Sequence, residues 1–509
     1  QEVSTVAQVP LMENLPKGFM AVPSGRRSFR WRNDQPASLV FVKALDEGNP
    51  DSLVAFRDEV FQLEAPFDEM PKSMLKTQNR FSSIIWGNKN LAIAYDYWWN
   101  TRNKRTYLFN PALPEGGVDL LFDQNYQDAY NDPGSFITRK NKLGRKVLAL
   151  KGSRAYLKGD GFSDEGQFPF LDEINLKSKI KNRLYQSDYK NKLERFIDYD
   201  IDENQLLVRI ESPNDYPNYF IRDFDQGDLK QMTQFENPFI SIKDIHKEVI
   251  SYKRADGLEL SATLYLPVGY DKEKKEKMPM ILWAYPREFK DPSSAAQKTS
   301  NSNTFTYPNY GSPIYWVTKG YVILDRASFP ILGVGDTEPN DTFIKQLVGN
   351  AKAAIDAADA LGYIDRKRVA VGGHSYGAFM VAHLLSNSDL FAAGIARSGA
   401  YNRTLTPFGF QSEQRSYWEA PEIYYNMSPF MHADKMKTPL LLTHGEADNN
   451  SGTYPMQSIR YFNALKGLGA EVRLVLLPKE SHGYRAKENI LHLLWEQDQW
   501  LEKYVKNKD

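Results

Sequence analysis

The chain has no cysteine in its 509 residues, which excludes disulfides, thiolate metal sites and a cysteine nucleophile. It also has no net charge. Lysine plus arginine and aspartate plus glutamate both number 64, so no overall field draws it to nucleic acid or to an anionic membrane, and neither is expected as a partner. Lys272 to Lys277 (KEKKEK) is interleaved with glutamate and reads as a solvated loop. No apolar run approaches the roughly 20 residues of a membrane span, and no charged-then-apolar signal segment opens the chain. His-Glu-x-x-His, phosphate-loop and calcium-loop patterns are missing. Gly333-Val334-Gly335 lacks the third glycine and the strand context of a dinucleotide loop. No cofactor and no metal site are expected.

Aromatic residues, by contrast, are plentiful at 13%, which fits a part built from aromatic-rich strands. From Gln1 to about Gln234, short β-type runs are punctuated by turns. Four groups recur at a spacing of about fifty to sixty residues: Phe29 to Leu45, Ile84 to Phe109, Lys146 to Ile174 and Phe196 to Phe224. Four-stranded units at this period predict propeller blades, an irregular β-sandwich being the alternative. Four blades rarely close a propeller, so it is expected to be incomplete, with further blades before Gln1 and a missing propeller segment as a possible associate. The first residue is Gln1 and not methionine, so a processed terminus or a fragment is expected.

Glu236 to Asp244 reads as a linker, giving residues 1–240 as β-propeller blades and 241–509 as a second domain. There, Glu248 to Lys253 and Leu258 to Leu266 alternate about Asp256-Gly257, a hairpin signal. Beyond Met278, strands at Met280 to Ala284, Tyr321 to Asp325, Arg368 to Val371, Ala392 to Ala396, Pro439 to Thr443 and Val472 to Leu477 are separated by helical stretches, the clearest at Phe343 to Leu361 and Lys487 to Tyr504. Such alternation predicts an α/β domain, a mostly parallel sheet with helices on both faces.

Arg368 to Phe379 reads RVAVGGHSYGAF. Strand, sharp turn and helix meet at Ser375, with Gly373 and Gly377 where side chains would crowd, the pattern of a nucleophile elbow. A serine hydroxyl needs a histidine to take its proton and a carboxylate to orient that histidine. On this sheet both come later in the chain, acid first. Of seven histidines, His246 lies just past the linker, His383 and His492 sit in helical patterns, His374 should diverge from Ser375, His432 belongs to a polar connection and His444 ends a strand. His482, in a loop after the last strand, suits the general base. Past the strand Pro439 to Thr443, Glu446 and Asp448 are both available, and Asp448 is preferred as the shorter carboxylate further along the loop. The Tyr376 amide is one expected oxyanion donor. No glycine run follows the strand ending at Ala284, so the Tyr285 hydroxyl is the expected second donor.

WAYPREFK (Trp283 to Lys290), VGGHSYGAFM (Val371 to Met380), ARSGAYNRTLTPFGFQ (Ala396 to Gln411), HGEADNN (His444 to Asn450) and ESHGY (Glu480 to Tyr484) resemble the prolyl oligopeptidase family of serine peptidases, and within it the glutamyl endopeptidase branch of plant chloroplasts and bacteria. The resemblance implies a β-propeller joined to an α/β-hydrolase domain, Ser375, Asp448 and His482 as the triad, Tyr285 as the oxyanion tyrosine, and Asn450 as a contact to a substrate backbone carbonyl. It implies a serine endopeptidase acting on peptides. No Glu-Glu pair occurs in the chain, so the double-glutamate amine clamp of dipeptidyl peptidase relatives is lacking. Specificity for glutamate would need a cation beside Ser375. Arg403 is the first candidate, with Arg287 and Arg415 as alternatives. An exopeptidase of dipeptidyl or acylaminoacyl type, an esterase and a non-catalytic propeller binding module are the competing readings. A periplasmic or secreted bacterial location is expected ahead of a cytoplasmic or plastid one.

Overall fold

The computed structural model describes residues 5–9, 11 and 15–507. The chain divides into two compact units. The first holds residues up to Ile210 and Pro217–Gln234, and the second holds Glu211–Tyr216 and everything from Phe235 onward. Glu211–Tyr216 follows the second unit, where the Tyr216 ring meets Phe305 and Tyr307 edge-on at centroid distances of 5.1 and 6.1 Å.

The first unit is a succession of antiparallel sheets, the blades of a β-propeller. Arg27–Trp31, Ser38–Ala44, Asp58–Glu64 and Lys72–Thr77 pair in chain order, as do Arg80–Asn88, Leu91–Trp98, Asn103–Phe109 and Val118–Asn125. The third sheet takes Leu150–Lys151, Arg154–Gly159, Phe170–Asn175 and Lys181–Gln186, with Ser135–Phe136 added beside Arg154–Gly159. The fourth runs from Leu193–Asp200 to Asp228–Gln231. Adjacent blades close over shared apolar faces: Val40, Val42 and Val60 of the first meet Trp86, Ala92 and Ala94 of the second.

The second unit is built on an eight-stranded sheet in the order Lys247–Lys253, Glu259–Tyr265, Val322–Ala327, Met278–Ala284, Ile364–His374, Ala393–Arg397, Leu440–Gly445 and Val472–Leu477. The first two pairings are antiparallel and the rest parallel. Successive side chains of a strand face opposite ways, and both faces here are covered. Met280, Leu282, Val369, Val371, Leu440 and Leu442 face one core, shared with the helices Phe343–Ala360, Tyr376–Asn387 and Met456–Gly467. Ile281, Ala370 and Leu441 face the other, closed by the turn Pro313–Lys319 and the helix Lys487–Leu501. A strand covered on both faces must be apolar throughout, which is why these strands read as continuous runs. The loops leaving the carboxyl ends of the parallel strands carry Tyr285, Ser375, Arg403, Asp448 and His482, the edge at which open α/β sheets bind ligands. Among the described residues, no helix is long and apolar enough to cross a membrane.

Candidate active site

Ser375 stands between the strand Ile364–His374 and the helix Tyr376–Asn387 at φ 59° and ψ −117°, a strained conformation for a residue with a side chain. Its amide donates to the Arg397 carbonyl at 2.8 Å. The two elbow glycines answer different contacts. A methyl group on Gly373 would lie 2.4 Å from the Gly377 backbone, whereas one on Gly377 would lie 2.9 Å from the Ala284 carbonyl oxygen. Gly373 therefore lets the turn close, and Gly377 lets the segment carrying Tyr285 approach it. Gly373→Ala is expected to destabilise the protein by about 1–3 kcal/mol or more, because rigid backbone cannot yield. It should also abolish labelling of Ser375 by a fluorophosphonate. Wild-type labelling and melting temperature in this variant would contradict the packing argument.

The three chemistry-bearing side chains meet. Ser375 Oγ lies 2.9 Å from His482 Nε2, and His482 Nδ1 lies 2.8 Å from Asp448 Oδ2. With Nδ1–H donating to the carboxylate, Nε2 is free to accept the serine proton. Burial alone would raise the Asp448 carboxyl, but hydrogen bonds from His444, His482 and the Asn450 amide outweigh it and hold the group below its ordinary value.

Several supports were not legible beforehand. His444 is wholly buried. Its Nε2–H donates to the Thr453 carbonyl at 2.7 Å and to Asp448 Oδ2 at 3.1 Å, while Nδ1 accepts from the Ser458 hydroxyl at 2.7 Å. A carbonyl only accepts, so this tautomer is fixed and always presents a donor to Asp448. Gly445 allows the loop of His482 to come near, since a methyl there would lie 2.4 Å from the carbonyl oxygens of Glu480 and Ser481. Glu480 anchors that loop by accepting from the Arg485 and Ala486 amides, each at 2.8 Å. His374 does not turn away as expected. The positive φ of Ser375 redirects the chain after it, and the His374 ring lies 4.8 Å from that of His482.

The His374 imidazole is pushed down to about 4, first by burial and then by the neighbouring His482 and Arg397. His383, within its helix, is buried against Phe379 and Phe343, and burial pushes it down to about 3. Both folded values lie below the ordinary 6.5, so the unfolded chain binds protons that the folded one refuses, and stability falls as pH drops below that value. The melting temperature is therefore expected to decline from pH 6.5 toward 4, and His383→Leu should make the decline shallower. An unchanged slope would contradict the assignment.

Beside Ser375 is a cavity of about 200 Å³ lined by Tyr376, Arg403, Phe410, Asn450 and Thr453 among others. It is below the roughly 300–1,000 Å³ of pockets that take drug-sized ligands, and suits one side chain. Arg403 is buried, its guanidinium stacked 4.2 Å over Phe379 and 4.7 Å over Phe410, and its Nε has no partner. Burial pushes its pKa down to about 10, a fall limited by Tyr376, Glu288 and Tyr285. It remains a cation at neutral pH, and among the described residues no carboxylate forms an ion pair with it, Glu288 acting on it only through space. The alternatives are not placed this way. Arg415 is committed to Glu413 at 2.7 and 2.8 Å and to Asp341 at 2.8 Å. Arg287 is exposed on the strand Arg287–Phe289 and does not line the cavity.

Tyr285 is half-exposed, its ring edge-on to Tyr376 at 5.9 Å. Partial burial raises its phenol, and a hydrogen bond with Ser375 opposes the rise. Asn450 uses its amide N–H to hold Asp448 Oδ1 at 2.9 Å, while its side chain donates to Thr453 Oγ1 at 2.9 Å.

Propeller blades followed by a largely parallel sheet, with serine, histidine and aspartate converging at its strand ends, define an α/β-hydrolase with an appended β-propeller part. Residues 345–508 match the prolyl oligopeptidase family. The chain is 42% identical to the "Probable glutamyl endopeptidase, chloroplastic" of Arabidopsis thaliana over 99% of this chain and 54% of that protein. The same figures for the rice protein of that name are 42%, 99% and 55%. The chain thus spans about half the length of these curated relatives. Among solved structures, Pyrococcus horikoshii acylaminoacyl peptidase aligns with a TM-score of 0.62 at 19% identity, covering 95% of this chain and 71% of that one. A puromycin-hydrolyzing peptidase of Mycobacterium tuberculosis aligns with a TM-score of 0.63 at 15% identity, over 94% and 70%. At these identities the two structures speak for the fold alone. Both plant relatives are named as chloroplast proteins, which overturns the periplasmic or secreted location expected above. An absence of cysteine is compatible with either compartment and could not have decided between them.

Proposed function

We propose that this chain carries the catalytic part of a serine endopeptidase that hydrolyses peptide bonds of oligopeptides after glutamate. In this reading His482 Nε2 takes the Ser375 proton as Oγ attacks the carbonyl carbon, and the resulting imidazolium is held by Asp448. The tetrahedral oxyanion accepts hydrogen bonds from the Tyr376 amide and the Tyr285 hydroxyl. Collapse expels the amine, which takes its proton from His482, and leaves an acyl-serine that water then cleaves by the same steps. Asn450 contacts the substrate backbone.

The observation that carries the proposal is Arg403: a buried guanidinium with no ion pair among the described residues, lining the cavity that Ser375 also lines. An isolated buried cation is unfavourable, and the carboxylate of a glutamate side chain placed beside the scissile bond would complete it with charge-assisted hydrogen bonds. The names of the two plant relatives support the same preference. The test is a pair of internally quenched peptides, identical except for glutamate or glutamine before the scissile bond. The glutamate peptide is expected to be favoured in kcat/KM by about 10²-fold or more, since glutamine leaves the cation without its counter-charge. Equal turnover would overturn the proposal.

A further inference from the structure

The two groups assigned to the oxyanion come from separate parts of the sheet, and a hydrogen bond from Tyr376 to Glu288 joins those parts. Tyr376 is buried, and its hydroxyl donates to Glu288 Oε1 at 2.6 Å. Glu288 lies three residues after Tyr285, in the middle of the short strand Arg287–Phe289, which pairs with Pro330–Leu332. Gly377 holds open the approach of the Ala284 carbonyl to the elbow, and the rings of Tyr285 and Tyr376 touch edge-on. The Tyr376 ring is itself stacked on Phe379 at 5.3 Å, so it has little freedom to follow a displaced partner.

We propose that Glu288 is a positioning residue that staples the Tyr285 segment to Tyr376 through the Tyr376 hydroxyl, and so fixes the spacing between the two oxyanion donors. The inference rests on the reading of Tyr285 and the Tyr376 amide as those donors. An O–H donated to a carboxylate is short and directional, and a shared charge is most effective when its donors need not move as it forms. Burial and the Glu288 carboxylate together raise the Tyr376 phenol well above its ordinary value, so it stays a donor across the working pH range. Glu288 does not line the cavity beside the nucleophile.

The test uses Tyr376→Phe, Glu288→Gln and the double variant, with Tyr285→Phe as reference. Each is measured for kcat and KM on the glutamate peptide, for inhibition by a peptide aldehyde ending in glutamal, and for inhibition by the product peptide ending in glutamate. The aldehyde forms a hemiacetal with Ser375 and places an oxyanion between the donors, whereas the product peptide does not. Either single variant is expected to lower kcat about tenfold with KM within about twofold, and to weaken the aldehyde by a similar factor. Product affinity should be unchanged, and the double variant should be no worse than either single one. If Tyr285→Phe weakens the aldehyde while Tyr376→Phe and Glu288→Gln do not, the staple is overturned and the site reading stands. Additive losses in the double variant overturn it as well. If Tyr285→Phe leaves aldehyde affinity unchanged, the site reading falls and the staple with it. Loss of aldehyde and product affinity in equal measure would mark a merely structural role and also overturn the proposal.

Discussion

Arg403→Gln is expected to lower kcat/KM for the glutamate peptide by about 10²–10³-fold, the equivalent of roughly 3–4 kcal/mol for separating a buried charge from its partner. The glutamine peptide, which never forms that pair, should change by less than about threefold, so the preference collapses. The variant should fold, because among the described residues the guanidinium forms no ion pair that its loss would break, and its ring contacts are to Phe379 and Phe410. Its main-chain amide still donates to the Ser428 hydroxyl at 2.8 Å. Arg403→Lys should restore only part of the preference, since an ammonium lacks the planar fork that meets a carboxylate at two points. A variant that loses both peptides equally would assign Arg403 to folding rather than to specificity.

The second large effect is expected at Asp448. Its Oδ2 receives His482 and His444, and its Oδ1 receives the Asn450 amide. In Asp448→Asn a single oxygen must serve both sides, and the amide nitrogen then faces a donor whichever way it turns. If nitrogen faces His482, the imidazole is driven to the tautomer with its proton on Nε2, where it cannot accept from Ser375. A kcat loss of about 10⁴-fold is expected, with KM little changed. The fixed tautomer of His444 sharpens the prediction, because that ring cannot become an acceptor without losing the Thr453 carbonyl. His444→Ala should relieve part of the conflict in the amide variant, and a double-mutant cycle in stopped-flow acylation would read it.

The elements of this site differed in how far they could be read before the structure. That Ser375, Asp448 and His482 would meet was legible because the chemistry limits the residue types and the sheet limits their order. The glycines of the elbow were legible as a pair, although only the folded structure separates the contact each one answers. Which arginine serves the cavity was not decided by residue type. Yet a local signal was present: Glu413 stands two residues before Arg415 and neutralises it, while no acid stands near Arg403 in the chain. His374 was misread because strand alternation stops at Ser375, whose positive φ takes the serine side chain out of the strand pattern. His444, Thr453 and Glu480 gave no usable signal, since their roles arise only when the loop after Gly445 closes on the loop of His482. Glu288 is of the same kind, a polar residue of a short strand until the fold brings Tyr376 against it. At the level of architecture, strands buried on both faces read clearly, whereas the association of Glu211–Tyr216 with the second unit depends on Tyr216 finding Phe305 and Tyr307.

The central claim is that Ser375 is the nucleophile of a peptidase directed to glutamate. It is tested most directly by digesting a mixed peptide library with the wild-type protein and with Ser375→Ala, reading every new terminus by mass spectrometry. The account predicts internal cleavages concentrated after glutamate with the wild type and none with Ser375→Ala. Cleavage that persists without Ser375, or wild-type cleavage spread evenly over residue types, would contradict it.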